Sequence, residues 1–258
     1  MAEFRFACLG SGSGGNALLV EAGGTRILVD AGFAVRELER RLAQIGVDPR
    51  DLDAILVTHE HGDHVRGAPG LARRHRIPLW MTQGTRVAAG CDEVAEFRPV
   101  NCHGQPFSVG AIQVEPFPIR HDAREPCHYL LRYGGLTLGL FTDAGEPTRH
   151  SLDLLRACDA LLLECNHDPH LLATGPYPPP LRRRVGGTFG HLSNQQAAAL
   201  LREMDIPRIQ HLVAAHLSAK NNRPELAVHA LLEVEPALKE RLSVADQGRP
   251  GPWLTLNS

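Results

Sequence analysis

Three histidines and an aspartate lie close together after a short apolar run, in the stretch ILVTHEHGDHV at 55–65. The four side chains are those of His59, His61, Asp63 and His64. Imidazole and carboxylate groups bind zinc, manganese or iron, and no cysteine is placed to require a softer metal. Four ligands in so short a loop cannot easily bind a single ion together. The spacing therefore predicts two adjacent divalent ions. The alternative is a histidine-rich surface loop.

A site with two metal ions needs further ligands, and three candidates follow apolar runs that are typical of strands. His121 follows AIQVEPFPI, Asp143 follows LTLGLFT, and His216 follows RIQHLVAA. Any one of them alone would be interpreted as a capping or surface residue. Three polar residues that each end an apolar strand together predict metal ligands.

The elements that must position these residues alternate between strands and helices. Strands are expected at 4–9, 16–21 and 25–30, the last two joined as a hairpin by a turn with glycines. Apolar residues at helical spacing predict a helix at 35–46. The other expected elements are strands at 54–57, 159–164 and 208–216, a strand-rich block at about 106–142, a last short strand pair, helices near 66–75, at 150–157, from Ser193 and from Pro224, and an irregular basic segment at 175–187.

The glycine-rich stretch GSGSGG at 10–15 is similar to a dinucleotide-binding motif. That motif requires a helix directly after the glycines, because the helix N-terminus holds the pyrophosphate. A strand is expected here instead, which disfavours the dinucleotide interpretation. A β-turn and a cradle of backbone amides beside a site both remain open.

The composition is that of an ordinary globular protein. The chain has 258 residues, of which 43% are hydrophobic and 22% charged, enough to bury a sizeable core. We expect residues 1–258 to form a single domain, because no linker-like segment interrupts them. The net charge of -2 provides no overall basic field, although a local basic patch can still bind nucleic acid.

The lack of recognisable targeting signals and the pattern of cysteines predict a cytoplasmic protein without a membrane span. The start MAEFRFACLG lacks the features of a signal peptide, and no apolar run approaches the ~20 residues that span a bilayer. Six scattered cysteines without a CxxC pair indicate thiols in a reducing cytosol.

The candidate ligands belong to segments that resemble the metallo-β-lactamase fold. In chain order these segments are LVDAG at 28–32, THEHGDH at 58–64, His121, TDAG at 142–145 and AHLS at 215–218. The resemblance implies an α/β fold, a four-layer αββα sandwich with the site at one edge between the sheets. It also implies one metal ion held by His59, His61 and His121, a second held by Asp63, His64 and His216, and Asp143 as a bridge.

Other segments resemble the nucleases of this superfamily, such as tRNase Z. LLLECNHD at 161–168 is similar to their strand-end glutamate, and FGHLSNQQAAAL at 189–200 to the helix start whose histidine contacts the scissile phosphate. The resemblance implies that Glu164 orients His191 and that His191 donates a proton to the leaving oxygen or steadies the phosphate. Asp63 is predicted as catalytic with them, and Ser193 as a substrate contact at a helix N-terminus, which favours anions. The alternative for His191 is a simple neighbour of the helix cap.

Several segments are similar to the YycJ-like branch, which is associated with 5′-to-3′ exonuclease action on double-stranded DNA. They are GSGSGGN, HDAREPC, ECNHD, GPYPPPLRRRVGG with GHLSN, and HLS-x-x-NN-x-PE. One departure is His128, where related sequences usually have glycine.

Three arginines, Arg182, Arg183 and Arg184, precede His191 in a segment flanked by proline and glycine. Guanidinium groups bind phosphate in a bidentate manner, and such contacts provide nucleic-acid affinity without reading the sequence. The alternative is a solvated basic loop.

The sequence therefore predicts a metal-dependent phosphodiesterase that uses two zinc, manganese or iron ions and acts on nucleic acid, as an exonuclease at DNA ends. Two alternatives remain open. One is a hydrolase of a small ester, thioester or lactone, which needs no basic rim. The other is a nucleic-acid repair partner whose metals are structural. A flavodiiron redox role is disfavoured, because His61 stands where an acidic ligand is expected.

Overall fold

The computed structural model describes residues 3–91 and 96–258. The chain divides into two compact units. The first unit comprises Met1–Pro118, Ala123–Leu136 and Asp246–Ser258, and the second comprises Ile119–Asp122 and Thr137–Ala245.

The strands and helices of the described residues alternate along much of the chain. The strands are β1 (Phe4–Gly10), β2 (Ala17–Ala22), β3 (Thr25–Val29), β4 (Ala54–Leu56), β5 (Leu79–Thr82), β6 (Phe97–Val100), β7 (Phe107–Val109), β8 (Ile112–Pro118), β9 (Cys127–Tyr133), β10 (Leu136–Phe141), β11 (Ala160–Glu164), β12 (His211–Ala215), β13 (Leu242–Val244) and β14 (Leu254–Leu256). The helices are α1 (Val35–Gln44), α2 (Gly62–Val65), α3 (Ala68–His75), α4 (Gln83–Ala88), α5 (Arg149–Leu155), α6 (Pro169–Thr174), α7 (Pro179–Val185), α8 (Asn194–Leu201) and α9 (Pro224–Leu232). Short 3₁₀ turns occupy Pro49–Asp51, Ile206–Arg208 and Pro236–Glu240.

The first unit contains a seven-stranded sheet in the order β14-β1-β2-β3-β4-β5-β6. Strands β14 to β3 pair antiparallel, and β3 to β6 pair parallel. Strands β7, β8 and β9 of the same unit pair antiparallel with one another. The hairpin predicted at 16–30 is confirmed as β2 and β3.

Helix α1 packs onto the core of the first unit through one apolar face. Leu38 and Leu42 are buried in a cluster that also contains Leu28 and Ile55 of the sheet. The helix ends at Gln44, and the backbone then turns at Gly46, whose φ of 76° lies in the region that favours glycine. The predicted helix and its glycine stop are confirmed.

The second unit contains four parallel strands in the order β13-β12-β11-β10. The residues of β11 are all buried, as are most of those in β10 and β12, which explains their continuous apolar runs. The carboxyl ends of parallel strands lie at one edge of a sheet, and residues just beyond such an edge are well placed to form a site. Asp143, Glu164 and His216 stand at or just after the carboxyl ends of β10, β11 and β12.

Three predictions about elements were wrong in detail. The segment at 175–187 contains α7, because prolines are tolerated in the first turn of a helix, where the N–H groups have no partner within the helix. The strand predicted at 208–216 begins only at His211, because a 3₁₀ turn containing Pro207 precedes it. The last two strands do not pair with each other, since β13 pairs with β12 and β14 with β1. Asp63 and His64 lie in the turn before α3, as expected, and this turn is the short helix α2.

Among the described helices, none has the length and apolar character needed to cross a bilayer.

Candidate metal centre

The ligand segment of the first unit leaves β4 and enters α2. His59 Nε2 lies 3.1 Å from His61 Nδ1, and His64 Nε2 lies 3.6 Å from Asp63 Oδ2. Two nitrogens that bind one tetrahedral zinc ion at 2.0–2.1 Å are about 3.3 Å apart. The observed separations therefore suit pairs of ligands that share an ion.

Asp30, the aspartate of the LVDAG segment, orients two of these histidines. Its buried carboxylate accepts hydrogen bonds from Thr58 N and from His64 Nδ1, both at 2.8 Å. The Thr58 hydroxyl donates to the same carboxylate at 2.9 Å, so His59 Nδ1, 3.0 Å away, must be the donor to Thr58 Oγ1. Both rings therefore carry their proton on Nδ1 and present the lone pair of Nε2, as a metal requires.

The glycine-rich turn supports the same ligand segment through Asn16. The Asn16 side-chain amide lies 3.0 Å from His64 Nε2 and donates to the Asp63 carbonyl at 3.2 Å, and its oxygen accepts from Gly12 N at 2.9 Å. Gly32 allows this approach, because a Cβ at that position would lie 1.7 Å from the Asp63 carbonyl oxygen. Of the two interpretations of GSGSGG, the turn is the one that these contacts favour.

In the second unit, Asp143 and His216 hold an uncommon backbone conformation. Their φ angles are 50° and 54°, in the left-handed region that non-glycine residues rarely adopt. Such a conformation costs on the order of 1–3 kcal/mol and is concentrated at functional sites. Asp143 Oδ1 lies 3.5 Å from His216 Nδ1 and 4.0 Å from His121 Nε2.

Glu164 is fully buried and holds two histidines at once. Its Oε1 accepts from His191 Nδ1 at 2.8 Å and from His216 Nδ1 at 2.9 Å, and its Oε2 accepts from the backbone amides of Ala144 and Leu192 at 3.1 Å. Burial alone would raise the pKa of Glu164, but the neighbouring histidines lower it to about 2. The ionised carboxylate can only accept, so both rings are protonated on Nδ1.

The histidines of the second unit thus present Nε2 as well. His121 Nδ1 donates to the Gly190 carbonyl at 3.3 Å, which leaves Nε2 as its ligand atom. For His191, burial lowers the pKa, but the Glu164 charge and hydrogen bond outweigh this effect, and the net pKa is raised above its ordinary value. His191 is one-fifth exposed, more open than His216 or Glu164.

Some of the residues predicted to contact substrate already bond to other groups of the protein. Arg184 forms an ion pair with Asp122, and Arg182 donates to the Ala173 carbonyl. Arg183 is exposed and forms no ion pair within residues 3–91 and 96–258. The Ser193 hydroxyl caps α8 by accepting from Gln196 N at 3.2 Å, so its predicted contact with substrate stays a prediction.

Comparison with known families identifies the group to which this arrangement belongs. The family profile described as "Beta-lactamase superfamily domain" matches residues 25–217, most of the chain. The chain belongs to the metallo-β-lactamase superfamily. The predicted fold class, a mixed α/β metallo-β-lactamase fold with two sheets, is confirmed.

Two superfamily relatives are nucleases by name. Exodeoxyribonuclease YycJ of Bacillus anthracis is 33% identical over 235 residues, which cover 89% of this chain and 88% of that protein. Exodeoxyribonuclease WalJ of Streptococcus pneumoniae serotype 2 is 34% identical over 230 residues, 87% of this chain and 85% of that one. Shorter stretches match ribonuclease Z enzymes, so the relation to tRNase Z-type nucleases is confirmed as partial. The chain is thus related to nucleases over most of its length.

A solved structure confirms the fold alone. The metallo-β-lactamase fold protein YhfI of Bacillus subtilis matches with a TM-score of 0.77 at 16% identity, over 97% of this chain and 99% of that one.

The donor groups of this superfamily member fit divalent metals. In the second unit, ligand atoms of Asp143, Glu164, His191 and His216 all lie within 4.8 Å of one another. Buried carboxylates or carbonyls hold the Nδ1 protons of the predicted ligands His64, His121 and His216, so each ring presents the nitrogen that a metal binds. Each unit therefore contains histidine and carboxylate groups that are capable of binding metal ions.

Sequence reasoning missed the residues that support the ligands. Asp30, Thr58 and Asn16 were present in the quoted segments, yet no role was assigned to them. Asp30 carried a usable signal, because an aspartate that ends the apolar strand ILV matches the pattern used for Asp143. Asn16 carried no such signal, because Asp63 and His64, which its side chain contacts, are distant from it in the sequence.

Proposed function

We propose that this protein is a phosphodiesterase that cleaves nucleic acid, as a 5′-to-3′ exonuclease on double-stranded DNA. Two relatives that match most of the chain are named exodeoxyribonucleases, and this supports the choice of DNA. The six cysteines are all free thiols, which fits a reducing compartment, and we place the activity in the cytosol.

The observation that carries the proposal is the pair of hydrogen bonds from His191 and His216 to the buried Glu164. A histidine whose Nδ1 proton is held by a carboxylate has a fixed ring orientation, and Nε2 can then hold a proton for transfer. We assign this role to His191, which would protonate the leaving oxygen or bind the phosphate. Glu164 orients the ring and stabilises its charged form.

The metal ligands follow the assignment that the family resemblance implies. One ion would be held by His59, His61 and His121, the other by Asp63, His64 and His216, with Asp143 as the bridging carboxylate. Zinc, manganese and iron all accept this donor set. Two bound divalent ions would supply Lewis-acid stabilisation of the phosphoryl oxygens and lower the pKa of water.

The surrounding residues contribute binding. Arg183 is available to a phosphate, whereas the guanidinium groups of Arg182 and Arg184 already have partners and would contact DNA only by exchanging them. Ser193 caps the helix whose N-terminus follows His191, and that positive end favours an anion nearby.

The test is digestion of DNA duplexes labelled at the 5′ or the 3′ end, with manganese or zinc added. We expect nucleotides to be released from the 5′ end and the rate to fall about 10²–10⁴-fold in His191→Ala, the range for loss of a general acid. His229→Ala is the matched control, because His229 is an exposed histidine of the same unit. Turnover of a thioester or lactone without cleavage of DNA or RNA would contradict the proposal. Retention of full nuclease activity in His191→Ala would contradict the role of His191.

A further inference from the structure

An exposed aromatic side chain precedes the proposed proton donor. Among the described residues, the large apolar side chains that remain exposed are Phe189, at 57%, and Val87, at 50%. Phe189 stands two residues before His191, so their Cα atoms are at most about 7 Å apart. In the proposed function, Phe189 is neither a metal ligand nor a catalytic group.

The backbone around Phe189 is held firmly although its ring is exposed. The Phe189 carbonyl accepts from Asp122 N at 3.0 Å, and His191 N donates to the Val185 carbonyl at 2.8 Å. The turn also lies against Gly145, where a Cβ would stand 2.4 Å from the Thr188 carbonyl oxygen. A ring on such a fixed turn loses little conformational entropy on binding.

The charges next to this turn suit a polyanion. Arg183 and Arg184 lie in the last turn of α7, a few residues before Phe189. Arg184 pairs with Asp122, the residue whose amide binds the Phe189 carbonyl, and Arg183 is exposed without an ion pair among the described residues. An aromatic face next to arginines is the combination with which proteins bind single nucleotides, the ring for the base and the guanidinium for the phosphate.

We infer that Phe189 forms a binding site for a nucleobase, on which the base at the digested end of the substrate stacks. This inference rests on the proposed function and extends it to the nucleotide contacts. Every base has a flat aromatic face, so the site tolerates any sequence. Arg183 contacts the backbone phosphate of the same strand end.

The experiment compares two DNA duplexes that differ only at the end that is digested. One ends in an ordinary nucleotide, and the other in a tetrahydrofuran abasic residue. The measured quantity is the ratio of kcat/KM for the ordinary end to that for the abasic end. It is determined for the wild type, Phe189→Ala, Phe189→Trp and the control Val87→Ala, which removes a similarly exposed apolar side chain of the first unit.

We expect the wild type and Val87→Ala to prefer the ordinary end by about 5- to 150-fold, which corresponds to a stacking energy of about 1–3 kcal/mol per base. Phe189→Ala should bring the ratio close to one, through loss of activity on the ordinary end alone, and Phe189→Trp should restore it. Equal ratios in the wild type and Phe189→Ala would overturn the inference while the nuclease function stands. A wild type that digests neither duplex would overturn the proposed function, and the inference with it.

Discussion

Asp30 in the first unit and Glu164 in the second each bind more than one group of the candidate ligand segments of their own unit, and each is fully or nearly buried. A carboxylate in such a position is tolerated only if its oxygens are hydrogen-bonded, and every oxygen of both residues accepts at least one bond. Their common effect is to fix which nitrogen of a neighbouring imidazole carries the proton. Single side chains thus determine the chemistry that the histidines can perform.

The buried residue His167, near this network, should make the stability of the protein depend on pH. Burial lowers the pKa of His167 from 6.5 to about 4. The unfolded chain therefore binds a proton below pH 6.5 that the native state does not bind until about pH 4, and stability falls as the pH falls through that window. The loss amounts to about 3 kcal/mol when complete.

His167→Gln should remove this contribution, because glutamine does not titrate. Urea unfolding at pH 7 and pH 4.5, in the presence of a chelator, should show a pH-dependent loss of stability that is smaller in the variant by about 2–3 kcal/mol. His170→Gln, at an exposed position of α6, is the control. An unchanged difference between the two pH values in His167→Gln would contradict the prediction.

At the scale of elements, the glycine-rich turn between β1 and β2 supports the ligand helix α2. Asn16 joins the two, since its backbone N donates to the Asp63 carbonyl at 2.7 Å and its side chain reaches His64. Groups that hold metal ligands in place typically contribute 10- to 100-fold to metal affinity.

Asn16→Ala should therefore weaken metal binding by about 10- to 100-fold while the protein stays folded. The dissociation constant is measured with zinc in competition with a chromogenic chelator, without reference to activity. Asn101→Ala, which removes an exposed side chain whose oxygen accepts from the His103 backbone amide, provides the comparison. Equal zinc affinity in the wild type and Asn16→Ala would show that the turn has no influence on the ligands.

The elements also show what the sequence could and could not reveal. The residues after β10 and β12 were predictable, because a polar residue directly after a buried parallel strand has few reasons to be there other than a site. Helix α7 was not, because a run of three prolines usually indicates irregular chain, and only the structure places them at the cap and first turn of a helix. The contacts of Asn16 depend on pairing of distant segments, which local spacing does not encode.

At the scale of the whole molecule, the net charge of -2 means that the DNA binding proposed above requires local positive charge. Arg183 is the arginine of α7 whose side chain has neither an ion pair nor a hydrogen bond in the described part of the chain. A phosphate contact displaces counterions, so each such contact adds about 0.9 to the slope of log affinity against log salt concentration.

Arg183→Ala, introduced into the His191→Ala background so that cleavage is slow, should weaken binding to duplex DNA and reduce the salt slope by about one. The measurement is the dissociation constant of a labelled duplex at several salt concentrations. Arg149→Ala, a highly exposed arginine of the same unit, should leave the slope nearly unchanged if the effect is local. Identical slopes with and without Arg183 would exclude a phosphate contact there.

Gln247 bonds through its side chain to both Gly14 and Gly15, at 2.7 and 2.8 Å, and β14 pairs with β1 in the same unit. The partners of the Gly14 bond are 233 residues apart in the chain. During synthesis on the ribosome, the turn that supports Asp63 and His64 is therefore made early but gains its contacts with Gln247 only after residue 247 has been translated. Until then the nascent ligand segment lacks part of its support, so the first unit is completed only after the sequence of the second unit has been made, although most of its own sequence emerges first.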